Sequence, residues 1–212
     1  MVFDELLALL GREPVFETSL LLAGDVNPAY ARRQLSAWVS AGKLWQLRRG
    51  LYAPAPPYQR APLHPFLVAN RLSPGSYVSL QAALAYYDLI PEHVAAVTSV
   101  TARRPGVWPT PLGAFLYRRV RPSLLFGYQQ HSVGDTQDAF IATPEKALLD
   151  LIYLQPTADV AAYVASLRLQ NLDRLNLTAL DLLAGRFAKP KLMRAAAAIR
   201  AAAEREAGYT PL

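Results

Sequence analysis

The chain has 212 residues, 52% hydrophobic and only 18% charged, enough apolar material for a packed core and far from the composition of a disordered chain. It contains no cysteine and only three scattered histidines, which excludes disulfides, thiolate zinc sites and cysteine nucleophiles; no metal and no cofactor is expected. The net charge of +6 suits a polyanionic partner and lies in the first two thirds: Lys and Arg outnumber Asp and Glu by 7 to 5 over residues 1–62 and by 6 to 2 over 63–134, then balance at 9 to 9.

In chain order, FDELLALLG places Phe3, Leu6, Leu7 and Leu10 at helical spacing, with Gly11 as a stop. ETSLLLAGDV reads as a second, weaker helix ending near Gly24. Asn27 as cap and Pro28 in the first turn open a third helix, PAYARRQLSAWVSAG, that Gly42 ends. Its stripe of Ala31, Leu35, Trp38 and Val39 must be buried, which leaves Ala29, Tyr30, Arg33, Ser36, Ala37 and Ser40 outside, flanked by Arg32 and Gln34. KLWQLRRGLYAPA alternates apolar and polar residues around Arg48-Arg49-Gly50, the pattern of a hairpin. Three helices followed by a hairpin is the order of a winged helix-turn-helix.

APAPPYQRAPLHP, with five prolines between Pro54 and Pro65, reads as a semi-rigid linker that divides a DNA-binding module over 1–58 from a larger domain over 59–212. Beyond it, YVSLQAALAYYDLIPEH predicts a short extended piece and a helix that Ser79 caps. VAAVTSVTA, GAFLYRRVR, LLFGYQQHSV and AFIA predict an antiparallel or mixed sheet. Thr143 and Pro144 start a helix over TPEKALLDLIYL, with Lys146 as an ordinary surface residue. Further helices are expected in DVAAYVASLRL, after Thr178 with Asp181 completing the cap, and around KLMRAAAAIRAAAERE. The fold class is α+β: a winged helix-turn-helix, then a larger mixed α/β domain.

The opening MVFDELLALLG has no basic start and no cleavage site, and no apolar run approaches the roughly 20 residues that span a bilayer; a cytoplasmic chain without membrane contact is expected. No Walker loop, HExxH helix, GxSxG elbow or dinucleotide glycine pattern occurs, so no catalytic residues are assigned and no enzyme is expected. His64, His93 and His131 are isolated, each next to a turn or strand edge, and structural or exposed roles are expected for them. Arginine on a helix forks onto O6 and N7 of guanine, and arginine on a wing grips the backbone. The candidate DNA-contacting residues are therefore Asn27, Tyr30, Arg32, Arg33, Gln34, Arg48 and Arg49, with Trp38, Trp45 and Leu47 in the core. Arg103, Arg104, Arg118, Arg119 and Arg121 form a possible second basic surface.

KLWQLRRGLYA, YVSLQAALAYYDLIPEHVAAVTSVTARRPG, TPLGAFLYRRV, FIATPEKALLDLIYLQP and LRLQNLDRLNL together resemble the AbiEi family of antitoxins from about residue 3 to about residue 200. The SLQAAL helix, TSVT strand and PEKALLDL helix are the specific part. The resemblance implies an autoregulatory repressor whose winged helix binds inverted repeats in its own promoter, two copies on palindromic double-stranded DNA. It also implies that the larger domain neutralises a nucleotidyltransferase-like toxin without a stable complex. On this sequence the implied DNA contacts fall on Tyr30, Arg32, Arg33, Arg48 and Arg49. Two other readings stand beside it: an orphan transcriptional regulator whose second domain senses a ligand or partner, and an RNA- or nucleotide-processing enzyme.

Overall fold

Phe3, Leu6 and Leu10 are buried along one side of α1 (Phe3–Leu10), which Gly11 ends. The structure, a computed structural model, describes residues 1–22, 26–92, 94–134, 136–156 and 159–208. A two-residue strand, β1 (Phe16–Glu17), leads into the single turn of α2 (Thr18–Leu21). The helix expected over ETSLLLAGDV is therefore reduced, because Phe16 and Glu17 pair with Tyr52 and Leu51 instead. Its expected end, at Ala23, Gly24 and Asp25, lies outside the described residues. Asn27 caps α3 (Pro28–Ser40) as expected: its Oδ1 accepts from the amides of Ala29 at 2.9 Å and Tyr30 at 3.3 Å. Ala31 and Leu35 are buried and Trp38 and Val39 half-buried, so the predicted stripe is the packed one.

β2 (Leu44–Arg48) and β3 (Leu51–Pro54) form the hairpin. Gly50 turns it at a φ of +81°, a backbone state that costs glycine little. The small sheet runs β1-β3-β2. Phe16, Leu44 and Tyr52 join the three helices in one apolar cluster, whereas Leu47, Leu51 and Ala53 belong to the main core of the molecule. Successive strand residues face opposite ways, so the sheet glues the N-terminal helices to everything else.

The proline-rich stretch is correspondingly not a free spacer. Gln59 Nε2 donates to the carbonyl of Pro54 at 2.9 Å and Gln137 Nε2 to that of Pro62 at 2.7 Å, while His64 N donates to Gln137 Oε1 at 2.9 Å. Its last proline starts a helix absent from the sequence reading, α4 (Pro65–Leu72). Proline suits a first helical turn, and His64 Nδ1 caps it by accepting from Phe66 N at 3.1 Å.

The larger part is a mixed six-stranded sheet flanked by helices. In chain order it comprises β4 (Tyr77–Val78), α5 (Leu80–Tyr86), β5 (Ala96–Thr101), β6 (Gly106–Thr110), β7 (Gly113–Arg119), β8 (Tyr128–Gly134) and β9 (Gln137–Ala142). Then follow α6 (Pro144–Leu154), α7 (Val160–Ser166), α8 (Leu177–Phe187) and α9 (Pro190–Ala207). The spatial order is β6-β7-β5-β4-β9-β8, with β5 parallel to β7 and β4 parallel to β9. β6 was not expected as a strand, because it contains Pro109; it lies at the sheet edge, where a missing amide donor is tolerated. Tyr117 donates to the carbonyl of Ala69 at 2.7 Å, which seats α4 on one face. Tyr77 reaches α6 on the other. The chain is thus α+β. The cap of α8 is Asn176 accepting from Ala179 N at 2.9 Å, which corrects the expected start at Thr178; Asp181 lies inside that helix and pairs with Arg200.

Candidate nucleic-acid interface

With its apolar stripe packed inward, α3 turns Asn27, Ala29, Tyr30, Arg32, Arg33, Ser36, Ala37 and Ser40 to the outside. Tyr30 is 49% exposed. Among the described residues no ion pair involves Arg32, Arg33 or Arg49. Among the described residues no carboxylate pairs with their charges. Two flanking residues are already engaged. The Asn27 side-chain oxygen serves the helix cap, and Gln34 Nε2 donates to the carbonyl of Met1. Trp38 packs edge-on against Phe3 at 5.4 Å, and Leu47 is buried.

The two hairpin arginines do not behave alike. Arg49 is exposed. Arg48 is turned inward: its guanidinium lies 3.4 Å from Glu17 Oε1 and donates to the Arg49 carbonyl at 3.2 Å, and its Nε is buried without a partner among the described residues. It also approaches the Tyr117 phenol, which burial pushes up and the Arg48 charge draws back down. The reason is the docked hairpin: Thr18 N donates to the Gly50 carbonyl at 3.0 Å, which folds the tip against the start of α2. Of the outward-reaching pair expected at the wing, one arginine holds the seam of the molecule.

Arg103 and Arg104 follow β5, and Arg118, Arg119 and Arg121 end and follow β7. Because these strands are parallel and pair Val100 with Arg118 and Thr101 with Arg119, all five exposed arginines gather at one end of the sheet. None of them enters an ion pair among the described residues. The residues of the expected second basic surface thus share one end of the sheet, with Arg118 and Arg119 on its opposite faces.

Lys146, expected at the surface, is fully buried. Its ammonium pairs with Asp150 one turn along α6 and donates to Tyr77 Oη at 2.9 Å. Tyr77 and Ser79 each donate to Asp150 Oδ2 at 2.9 Å. The Ser79 hydroxyl is thus drawn away from the cap of α5 that the sequence suggested. The rings of Phe187 and Phe126 stand 4.7 Å and 4.9 Å from the ammonium. Burial draws Lys146 down and Asp150 up, each opposed by its partner's charge. The signal was present as an i, i+4 Lys–Asp pair, but nothing local tells a buried pair from a solvated one. Glu145 points elsewhere, accepting from Asn176 N at 2.8 Å.

Of the histidines, His64 caps α4, His131 meets Tyr87 Oη at 3.2 Å, and His93 lies outside the described residues. Among the described residues no group of three potential ligands could hold a metal, and no helix is long and apolar enough to cross a membrane. No family model and no curated protein matches the chain. Among solved structures, the RV2827C protein from Mycobacterium tuberculosis is similar in fold. It aligns with a TM-score of 0.50 over 99% of this chain and 82% of that one, at 16% identity. At that identity the likeness concerns the fold alone.

Proposed function

We propose that the chain is a cytoplasmic DNA-binding repressor that grips duplex DNA through α3. The observation that carries this reading is the outer face of α3. Tyr30, Arg32 and Arg33 stand exposed on a helix whose opposite stripe is packed, and among the described residues no carboxylate pairs with either arginine. Such a face fits the major groove, where arginine reads guanine and small neighbours let the helix approach. The order α1, β1, α2, α3, β2, β3 supports reading the first 58 residues as a winged helix-turn-helix, with Arg49 on the backbone. Arg48 is then a seam residue and not a phosphate contact.

The resemblance to AbiEi antitoxins supports the narrower proposal that the bound DNA is the chain's own promoter, as inverted repeats occupied by two copies. It likewise supports neutralisation of a nucleotidyltransferase-type toxin encoded beside it. The exposed arginines at that end of the sheet would offer the same polyanion a second contact, one that lengthens the footprint beyond what α3 covers. The test is footprinting of the upstream region with the full chain at several salt concentrations. Protection of two symmetric half-sites about one helical turn or a multiple of it apart is expected. Equal binding to promoter and scrambled DNA would remove the repressor reading, and no growth rescue from the neighbouring toxin would remove the antitoxin one.

A further inference from the structure

Where the turn after α1 meets α4 and the β8–β9 hairpin there is an open cleft of about 500 Å³, whose lining includes Glu13, Asn70, Arg71, Ser76, Tyr128, Asp138 and Phe140. Its walls are built and not incidental. Tyr128 stacks on Tyr77 at 4.6 Å, and Tyr77 is held by the buried Lys146–Asp150 pair. Phe140 meets Tyr128 edge-on at 5.8 Å and is still 44% exposed. Asn70 clamps this strand by accepting from Phe140 N at 2.7 Å, and its amide donates to the carbonyl of Ser76 at 3.2 Å. Ser76 itself is only 4% exposed, and its hydroxyl has no partner among the described residues.

The charges of the lining decide what fits. Arg71 is answered by Glu13 at 3.7 Å, whereas among the described residues Asp138 is met only by the neutral amide of Gln130 at 2.8 Å. The net charge left over is negative, in a chain that is otherwise basic, and it sits two residues along one strand from the Phe140 ring and thus on the same face. A carboxylate beside exposed aromatic faces attracts a positive ligand by Coulomb and cation–π terms together. We propose that this cleft binds a small organic cation of the amine or guanidinium class, its charged head on Asp138 and the Tyr128–Phe140 rings and its chain along the wall that holds Ser76. Glu13 and Pro14, from the N-terminal part, close one side of the cleft, and the remaining lining comes from the larger part. This goes beyond the DNA-binding reading and does not depend on it.

Isothermal titration of the full chain with spermidine, agmatine and tetramethylammonium, and with adenosine monophosphate as an anionic control, tests it. At least one of the three cations should bind saturably at one site and the nucleotide should not. Asp138→Asn and Phe140→Leu should each weaken that binding about tenfold while leaving thermal unfolding in place. Absence of saturable binding by all three cations, equal binding by both variants, or binding of the nucleotide alone would overturn the proposal.

Discussion

The two parts of the molecule treat charge in opposite ways. The N-terminal part leaves Arg32, Arg33 and Arg49 on the surface without acidic partners among the described residues, while the larger part takes Lys146 and Asp150 entirely out of water and surrounds them with Phe126, Phe187 and two hydroxyls. A solvated charge costs almost nothing to keep and remains available to a partner. A desolvated one costs several kcal/mol and is held only if every lone pair and proton is met. The contrast predicts that substitutions in the first group leave folding alone and change binding, whereas those in the second do the reverse.

The largest effect that sharpens this contrast belongs to Lys146→Met, which strands the Asp150 carboxylate in the core and should cost about 3–5 kcal/mol of stability by urea unfolding. Removing the pair and the phenol together, as Lys146→Met, Asp150→Leu and Tyr77→Phe, should recover most of that loss, because the orphaned charge and one orphaned donor are gone. The Ser79 hydroxyl then remains unmet, at about 1–3 kcal/mol. A single variant costing under about 1 kcal/mol would show that the pair is hydrated, and the contrast would fail. Next in size is Gly127→Ala. A Cβ there stands 3.1 Å from Lys146 Cγ, at a backbone φ of +70°. Strain and crowding together predict about 1–3 kcal/mol of destabilisation in the same assay.

The same division explains what was legible in the sequence. The α3 stripe, the Asn27 cap, the hairpin around Gly50 and the helix starting at Thr143 follow from local periodicity and capping, and each is found where expected. The cap at Ser79 was not, because its hydroxyl is claimed by Asp150, a residue 71 positions away. The inward turn of Arg48 and the burial of Lys146 were illegible for the same reason. Whether a charged side chain points out or in depends on which element docks over it, and the docking of β2–β3 onto the main core is a long-range event. β6 and α4 were hidden by Pro109 and Pro65, since proline breaks a central strand and a helix interior but is tolerated at an edge and in a first turn.

On the exposed side, Arg33→Ala should cost about 1–3 kcal/mol of specific promoter binding and relax sequence preference, with unfolding unchanged. Arg49→Ala should weaken binding to all sequences alike and flatten the salt dependence by about one phosphate contact. Arg48→Ala separates the parts most sharply: it should leave the salt slope intact and loosen the seam, read as a lower midpoint in urea. A gel-shift series at several salt concentrations compares the three. A lost phosphate contact in Arg48→Ala would put this residue back on the DNA.

The smallest effect concerns His64, which sits where the two parts meet. Its Nδ1 can accept from Phe66 N only while unprotonated, and burial lowers its pKa below the ordinary 6.5. In the unfolded chain the imidazole takes up a proton as pH falls through about 6.5, before the folded one does. The unfolded state therefore binds more protons in that window, and stability must fall with falling pH and stay flat above it. His64→Asn keeps an oxygen to cap α4 but cannot titrate. Unfolding midpoints of the two proteins should hold a constant difference above about pH 7 and diverge below it, the parent losing ground. Should the parent instead gain relative to the variant as the solution is acidified, the protonated imidazole has found an acceptor, and the cap at the seam is not the contact described.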